Sequence, residues 1–115
     1  MIYTSYFAKM RNMTEEQKDR CMSVARYTPK GIVVPINTML APLWDILKAY
    51  KEDGDTEKFA AAYKKQLAQY NVDIVARNMQ DRILLCYEKN GDFCHRHILA
   101  DWFISNGYEC EELII

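Results

Sequence analysis

One run constrains the fold more than any other: Ile83-Leu84-Leu85-Cys86-Tyr87. A strand points successive side chains to opposite faces, so an unbroken apolar run needs cover on both sides. Such a strand belongs inside a layered parallel sheet, not at an exposed edge. Two other runs read as its partners. Ile2-Tyr3-Thr4-Ser5-Tyr6-Phe7 is rich in aromatic and β-branched residues, and Cys21-Met22-Ser23-Val24-Ala25 is short and mostly apolar. Tyr108 to Ile115 reads as a final strand.

Between these runs the apolar spacing becomes helical. Thr14 and Gln17 have capping-box spacing and predict a short polar helix or turn. Pro29 and Gly31 make the stretch from Arg26 a loop. From Ile32 to Met39 the signals conflict, because Val33 and Val34 favour extended chain while Pro35 bars full pairing inside a sheet. A helix is predicted from Pro42, with Leu43, Ile46, Leu47 and Tyr50 as its stripe, broken at Asp53-Gly54-Asp55. The next starts at Asp55 or Thr56 with Phe59, Tyr63, Leu67 and Tyr70 aligned, and Asn71 caps a shorter one through Val75 and Met79. Asn90-Gly91-Asp92 turns the chain into a helix from about Phe93 to Asn106, which Gly107 stops. Strands separated by helices predict an α/β domain: one compact three-layer, Rossmann-like unit over residues 1–115 with a small, mainly parallel sheet and right-handed crossovers. Half of the residues are hydrophobic and 27% are charged, which excludes a disordered chain.

Fifteen Lys and Arg stand against sixteen Asp and Glu, a formal net charge of −1. A nonspecific duplex binder carries a basic excess, so nucleic acid is not the expected partner, while a local phosphate pocket remains compatible with this balance. The amino terminus shows no basic stretch leading into an apolar one, and no run is long enough to span a bilayer. The expectation is a cytoplasmic protein without a membrane partner, whose Cys21, Cys86, Cys94 and Cys110 are all free thiols.

The densest reactive cluster is Cys86 followed, after seven intervening residues, by Cys94-His95-Arg96-His97. Cys86, Tyr87 and Glu88 end a predicted strand, and Cys94-His95-Arg96 opens the next helix. Ligands of open α/β sheets bind outside the carboxyl ends of the strands. A helix N-terminus adds free N–H groups and a positive partial charge suited to phosphate or carboxylate. On a helix whose buried face is Ile98, Leu99, Trp102 and Phe103, His95 falls mid-face, Cys94 and Arg96 fall at its borders, and His97 points away. Arg96 is therefore expected to reach a bound anion and to matter for affinity more than for folding. Cys94 beside His95 has the makings of an activated nucleophile, so these two are the catalytic candidates. Ser5 and Tyr6 at the first strand's end, and Arg26 and Tyr27 after the second, complete the expected ligand contacts. Each has a plainer reading: Cys86 as core, His95 satisfying a strand-end carbonyl, Arg96 paired with Glu88 or Asp101, Ser5, Tyr6 and Tyr27 as turn residues. Cys86, Cys94, His95 and His97 do not read as four zinc ligands, because the two histidines project to different sides of one helix. No metal and no cofactor are expected.

Five segments together resemble the domain-of-unknown-function family 488: Ile2-Tyr3-Thr4-Ser5-Tyr6, Ser23-Val24-Ala25-Arg26-Tyr27-Thr28-Pro29, Leu40-Ala41-Pro42, Leu84-Leu85-Cys86-Tyr87-Glu88-Lys89 and Cys94-His95-Arg96-His97. The resemblance spans almost the whole chain and implies a three-layer α/β fold. It marks Arg26, Cys86, Cys94, His95 and Arg96 as family-matching positions and implies no settled activity. The chain departs from the family at Gly31-Ile32-Val33-Val34-Pro35, which lacks the basic and aromatic content of relatives; this counts further against a nucleic-acid role.

The favoured function is a small-molecule binding protein for a phosphate-bearing, nucleotide-type ligand. A stand-alone domain of this kind could sequester a nucleotide-derived signal, as a phage protein countering host immune signalling would. The alternative is a Cys/His-dependent enzyme, a hydrolase or one that cleaves a glycosyl bond, acting on a nucleotide-like substrate. A symmetric homodimer is also expected, with Trp44, Tyr63 and Tyr70 available either for its interface or for the core.

Overall fold

The computed structural model describes residues 1–87 and 93–115. Glu88 and the turn read at Asn90-Gly91-Asp92 lie outside the described residues. The strands are β1 (Ile2–Tyr6), β2 (Cys21–Ser23), β3 (Ile83–Cys86) and β4 (Cys110–Glu112). They form one sheet in the order β2-β3-β1-β4, and every described pairing is parallel. Leu84 pairs with Thr4 on one side and Met22 on the other, and all four residues of β3 are buried. The apolar run sits where its two-sided hydrophobicity demands, in the interior of a sheet covered on both faces.

Alternation along the strands separates two core clusters. Ile2, Val24, Leu84 and Cys110 pack with Phe59, Tyr63 and Leu67 of α3 (Thr56–Leu67) and Leu99 and Phe103 of α5 (His95–Ser105), and with residues of α2 (Trp44–Asp53), α4 (Val72–Asn78) and the loops around them. Cys21, Ile83 and Leu85 face the other way, against Phe7, Met10 and Met13 around a 3₁₀ helix (Phe7–Asn12). The short α1 (Glu15–Asp19) follows, opened by the full Thr14–Gln17 capping box that the sequence predicts. These are the three layers of a Rossmann-like α/β fold. Among the described residues, no helix is long and apolar enough to cross a membrane.

Connectivity points to one end of the sheet. The chain leaves β1 toward the 3₁₀-helix face to reach β2 two positions away, then moves back across the sheet through the opposite layer to β3 and on to β4. Neighbouring β1 and β3 thus send their connections to opposite faces, and open α/β sheets bind ligands at the carboxyl-end side of such a switch.

The stretch between β2 and α2 is where the sequence was ambiguous. It is mostly irregular, with a single parallel bridge from Ile36 to Ser23 on the outer edge of β2. β2 itself stops at Ser23 rather than Ala25, because the Ser23 hydroxyl accepts a bond from the Ala25 N–H and turns the chain. Side chains hold the carbonyls that follow. Gln66 donates to Ala41 (2.8 Å) and Met39 (3.1 Å) and accepts from the Leu43 N–H (2.9 Å). Tyr63 donates to the Leu40 carbonyl, and Arg26 Nη2 to that of Pro42 at 2.9 Å. Tyr63, considered for a dimer interface or the core, is fully buried and belongs to the core.

Replacing Gln66 by Met keeps the volume but removes all three bonds, the buried one to the Ala41 carbonyl among them. Gln66→Met should lower unfolding stability by about 1–3 kcal/mol by denaturant midpoint, whereas exposed Gln69→Met should leave it unchanged. Equal midpoints for the two variants would contradict this account of the 39–43 segment.

Candidate functional site

Cys94 is the N-cap of α5, and His95 and Arg96 are its first two helical residues. At about 100° per residue these adjacent side chains must diverge. The His95 ring turns to β2, where Nε2 lies 2.6 Å from the Val24 carbonyl oxygen. A carbonyl can only accept, so Nε2 carries the proton and Nδ1 presents a lone pair, 3.9 Å from Cys94 Sγ. Burial is the main cause that lowers the ring's pKa to about 4, so it is neutral at pH 7.

Arg96 turns to the other side. Its Nε and Nη2 donate to the two oxygens of Glu112 at 3.0 and 2.9 Å, and Nη1 donates to Cys86 Sγ at 2.9 Å. The guanidinium lies 5.5 Å over the Tyr6 ring, and Thr4 Oγ1 donates to the same Glu112 carboxylate at 2.7 Å. The sequence reading set Arg96 at the border of the buried face. In the structure it is fully buried. The reason is long-range: β4 joins the sheet beside β1 and delivers a carboxylate that no helical periodicity can show.

Cys86 and Cys94 are joined in a disulfide, while Cys21 and Cys110 are free. This corrects the expectation of four free thiols. Packing of α5 against β3 brings the strand end and the helix cap together, so two cysteines separated by eight positions meet. Burial pushes the thiols of Cys21 and Cys110 up to about 11, which leaves them unreactive at neutral pH.

Above His95 lies a cleft with two lobes. One, of about 180 Å³, is lined by Arg26, Tyr27, Leu47, Lys51, Tyr87 and His95, with Ala25 and Pro42. The other, of about 230 Å³, is lined by Leu47, Tyr50, Phe59, Phe93, Cys94 and His95. Leu47 and His95 belong to both, so the lobes adjoin along α2. The first carries two cations; the second is walled by aromatic rings, with Phe93 packed 5.5 Å from both Tyr50 and Phe59. At the mouth Trp44 stacks edge-on with Tyr27 and lies under the Lys51 ammonium at 5.3 Å.

The structure therefore brings Arg26, Tyr27, Cys94 and His95 to one cleft. Cys86 and Arg96 lie behind its floor, and Tyr6 is under the Arg96 guanidinium. Ser5 pairs with Leu85 on the face away from α5, and its buried hydroxyl has no hydrogen-bond partner among the described residues. Glu88 is outside the described residues. The sequence reading missed Lys51, Tyr50, Phe59 and Phe93 as cleft residues and Glu112 as the partner of Arg96. Leu47 and Lys51 are four residues apart on one helix face, a spacing that could have placed Lys51 beside the stripe.

A parallel α/β domain with a cleft over a helix opened by Cys-His-Arg is the class that these features define. The profile described as Active DUF488-N3 subclade, DUF488-N3a, matches residues 5–107, and the chain belongs to this family. No curated protein and no solved structure matches the chain.

Two outcomes follow from this geometry. Arg96→Ala empties a buried site and strands Glu112, so it should cost about 3–5 kcal/mol of stability; a midpoint equal to wild type would contradict a structural role for the Arg96–Glu112 pair. For His95 the unfolded ring titrates near 6.5 and the folded ring near 4. The folded state favours the neutral ring, so its contribution is complete above pH 6.5 and is lost as pH falls toward 4. In the disulfide-bonded protein, wild type should lose on the order of 3 kcal/mol over that interval relative to His95→Gln, measured by urea denaturation. Parallel pH profiles would refute the assignment.

Proposed function

We propose that the protein binds a small phosphate-bearing, nucleotide-type ligand in the cleft between α2 and the carboxyl ends of β2 and β3. The observation that carries this reading is the division of the cleft, with cations in one lobe and aromatic walls in the other. A nucleotide has the same division, with phosphates at one end and a flat π-surface at the other. Arg26 and Lys51 would face the phosphate, while Tyr50, Phe59 and Phe93 would surround the base. Neither lobe alone reaches the roughly 300 Å³ at which small-molecule pockets begin, so this reading has one ligand span both lobes across Leu47 and His95. Burial of Arg96 against Glu112 moves the anion role from Arg96 to these two cations. A domain that encloses such a ligand without altering it would act by sequestration, removing a nucleotide-derived signal from solution.

The second reading is catalysis by Cys86 or Cys94 on a similar substrate. It is favoured by the Arg96 Nη1 contact to Cys86 Sγ, which stabilises a thiolate once the disulfide is reduced.

A nucleotide panel separates the readings. Protein, oxidised or reduced, is incubated with each compound, denatured, and the compound recovered. Intact recovery from both forms supports binding, whereas a product made only by reduced protein replaces it with catalysis. Lys51 is exposed and, among the described residues, ties no other element in place, so Lys51→Ala should weaken nucleotide affinity roughly tenfold or more and leave the thermal midpoint within a few degrees. Unchanged affinity would remove the phosphate from this lobe.

A further inference from the structure

We infer that Cys86, Cys94 and His95 form, with the disulfide reduced, a three-ligand site for zinc(II). Each offers one donor atom, and the three lie within 4.8 Å of one another in a wholly buried cluster. The orientation of His95 is what distinguishes this set from a chance cluster. Its Nε2 is held by the Val24 carbonyl, so the ring cannot turn and Nδ1 is left as an unprotonated donor beside Cys94 Sγ. Fixing one ring nitrogen on a backbone carbonyl is how proteins orient metal-ligating histidines. A tetrahedral zinc with bonds of about 2.3 Å to sulfur and about 2.0 Å to nitrogen sets neighbouring donors about 3.6 Å apart. The Sγ–Nδ1 separation of 3.9 Å needs little adjustment to reach that value.

The remaining features fit a closed charge balance. Two thiolates neutralise the dication, and the Arg96 guanidinium beside Cys86 is itself matched by Glu112. The aromatic lobe touches Cys94 and His95, which leaves space for a water or a ligand atom as the fourth donor. His97 takes no part. It stands on another side of α5, as its spacing from His95 dictates, and this is why a four-ligand reading fails where a three-ligand one holds. The step that opens the site is thiol–disulfide exchange. A dithiol supplies two electrons and two protons to the Cys86–Cys94 bond and leaves as its own disulfide; zinc then displaces the two thiol protons to solvent.

The test uses the metal alone, without any nucleotide, so its failure is separate from failure of the binding cleft. The whole chain is reduced, freed of reductant without air, and titrated with zinc(II) against a chromophoric chelator, then with cobalt(II). The expected result is about one equivalent bound with submicromolar affinity, and a cobalt complex showing thiolate charge transfer and tetrahedral visible bands. Cys94→Ser puts a favoured residue at the N-cap position and should stay folded by circular dichroism while losing affinity at least about hundredfold. His95→Gln should weaken it at least about tenfold, and His97→Ala and Cys110→Ser should match wild type. Micromolar or weaker binding by folded, reduced wild type would overturn the proposal, as would full affinity in folded Cys94→Ser or dependence on His97. Tight copper(I) binding with no zinc binding would also overturn it.

Discussion

The amino-terminal turn of α5 ties three strands together, and the rest of the site depends on it. Arg96 crosses to Glu112 on β4 and touches Cys86 at the end of β3, while His95 reaches the Val24 carbonyl just beyond β2. A guanidinium with no solvent exposure is tolerable only if its donors are satisfied and its charge is met. The bidentate contact with Glu112 meets the charge and, with the Nη1 contact to Cys86, engages all three guanidinium nitrogens, while Thr4 holds that carboxylate from β1. Two consecutive residues thereby fix where the helix starts relative to the sheet. The floor of the cleft is set by that start.

The walls depend on a different device. Residues 39–43 belong to no strand or helix, yet Leu40, Ala41 and Pro42 are buried. Their carbonyls are paired by Tyr63 and Gln66 from α3 and by Arg26 from the loop after β2. Arg26 therefore has two roles: it pins the entry to α2 and lines the cationic lobe. Because Leu47 and Lys51 are carried by the helix that this segment launches, the cleft's shape follows from hydrogen bonds made on its far side.

Much of the fold was legible because it rests on local chemistry. The capping box at Thr14, the Asp55 and Asn71 caps, the break at Gly54 and the apolar run of β3 all state their structure within a few residues. The direction of His95 was legible for the same reason, since helical geometry and the apolar face of α5 dictate it. What escaped was long-range. Arg96 lies on the border of a helical stripe, and its burial is decided by Glu112, sixteen residues away on a strand that joins the far side of β1. The disulfide escaped because composition speaks to the redox setting and not to which sulfurs the fold makes adjacent. The aromatic lobe escaped because Tyr50 and Phe59 serve the core and the cleft at once, and a sequence stripe reads only as core.

The central claim is that ligands enter over His95, between α2 and the strand ends. A wider depression of about 430 Å³ beside the 3₁₀ helix, lined in part by Phe7, Arg11, Lys18 and Ile32, offers a rival location. Backbone amide chemical shifts, recorded as a nucleotide identified from the panel is titrated into isotopically labelled protein, distinguish them directly. The account predicts saturable shifts at Arg26, Tyr27, Leu47, Lys51 and Tyr87, with Ala8, Arg11 and Val33 unmoved. Shifts confined to Ala8, Arg11, Lys18 and Val33 would contradict it.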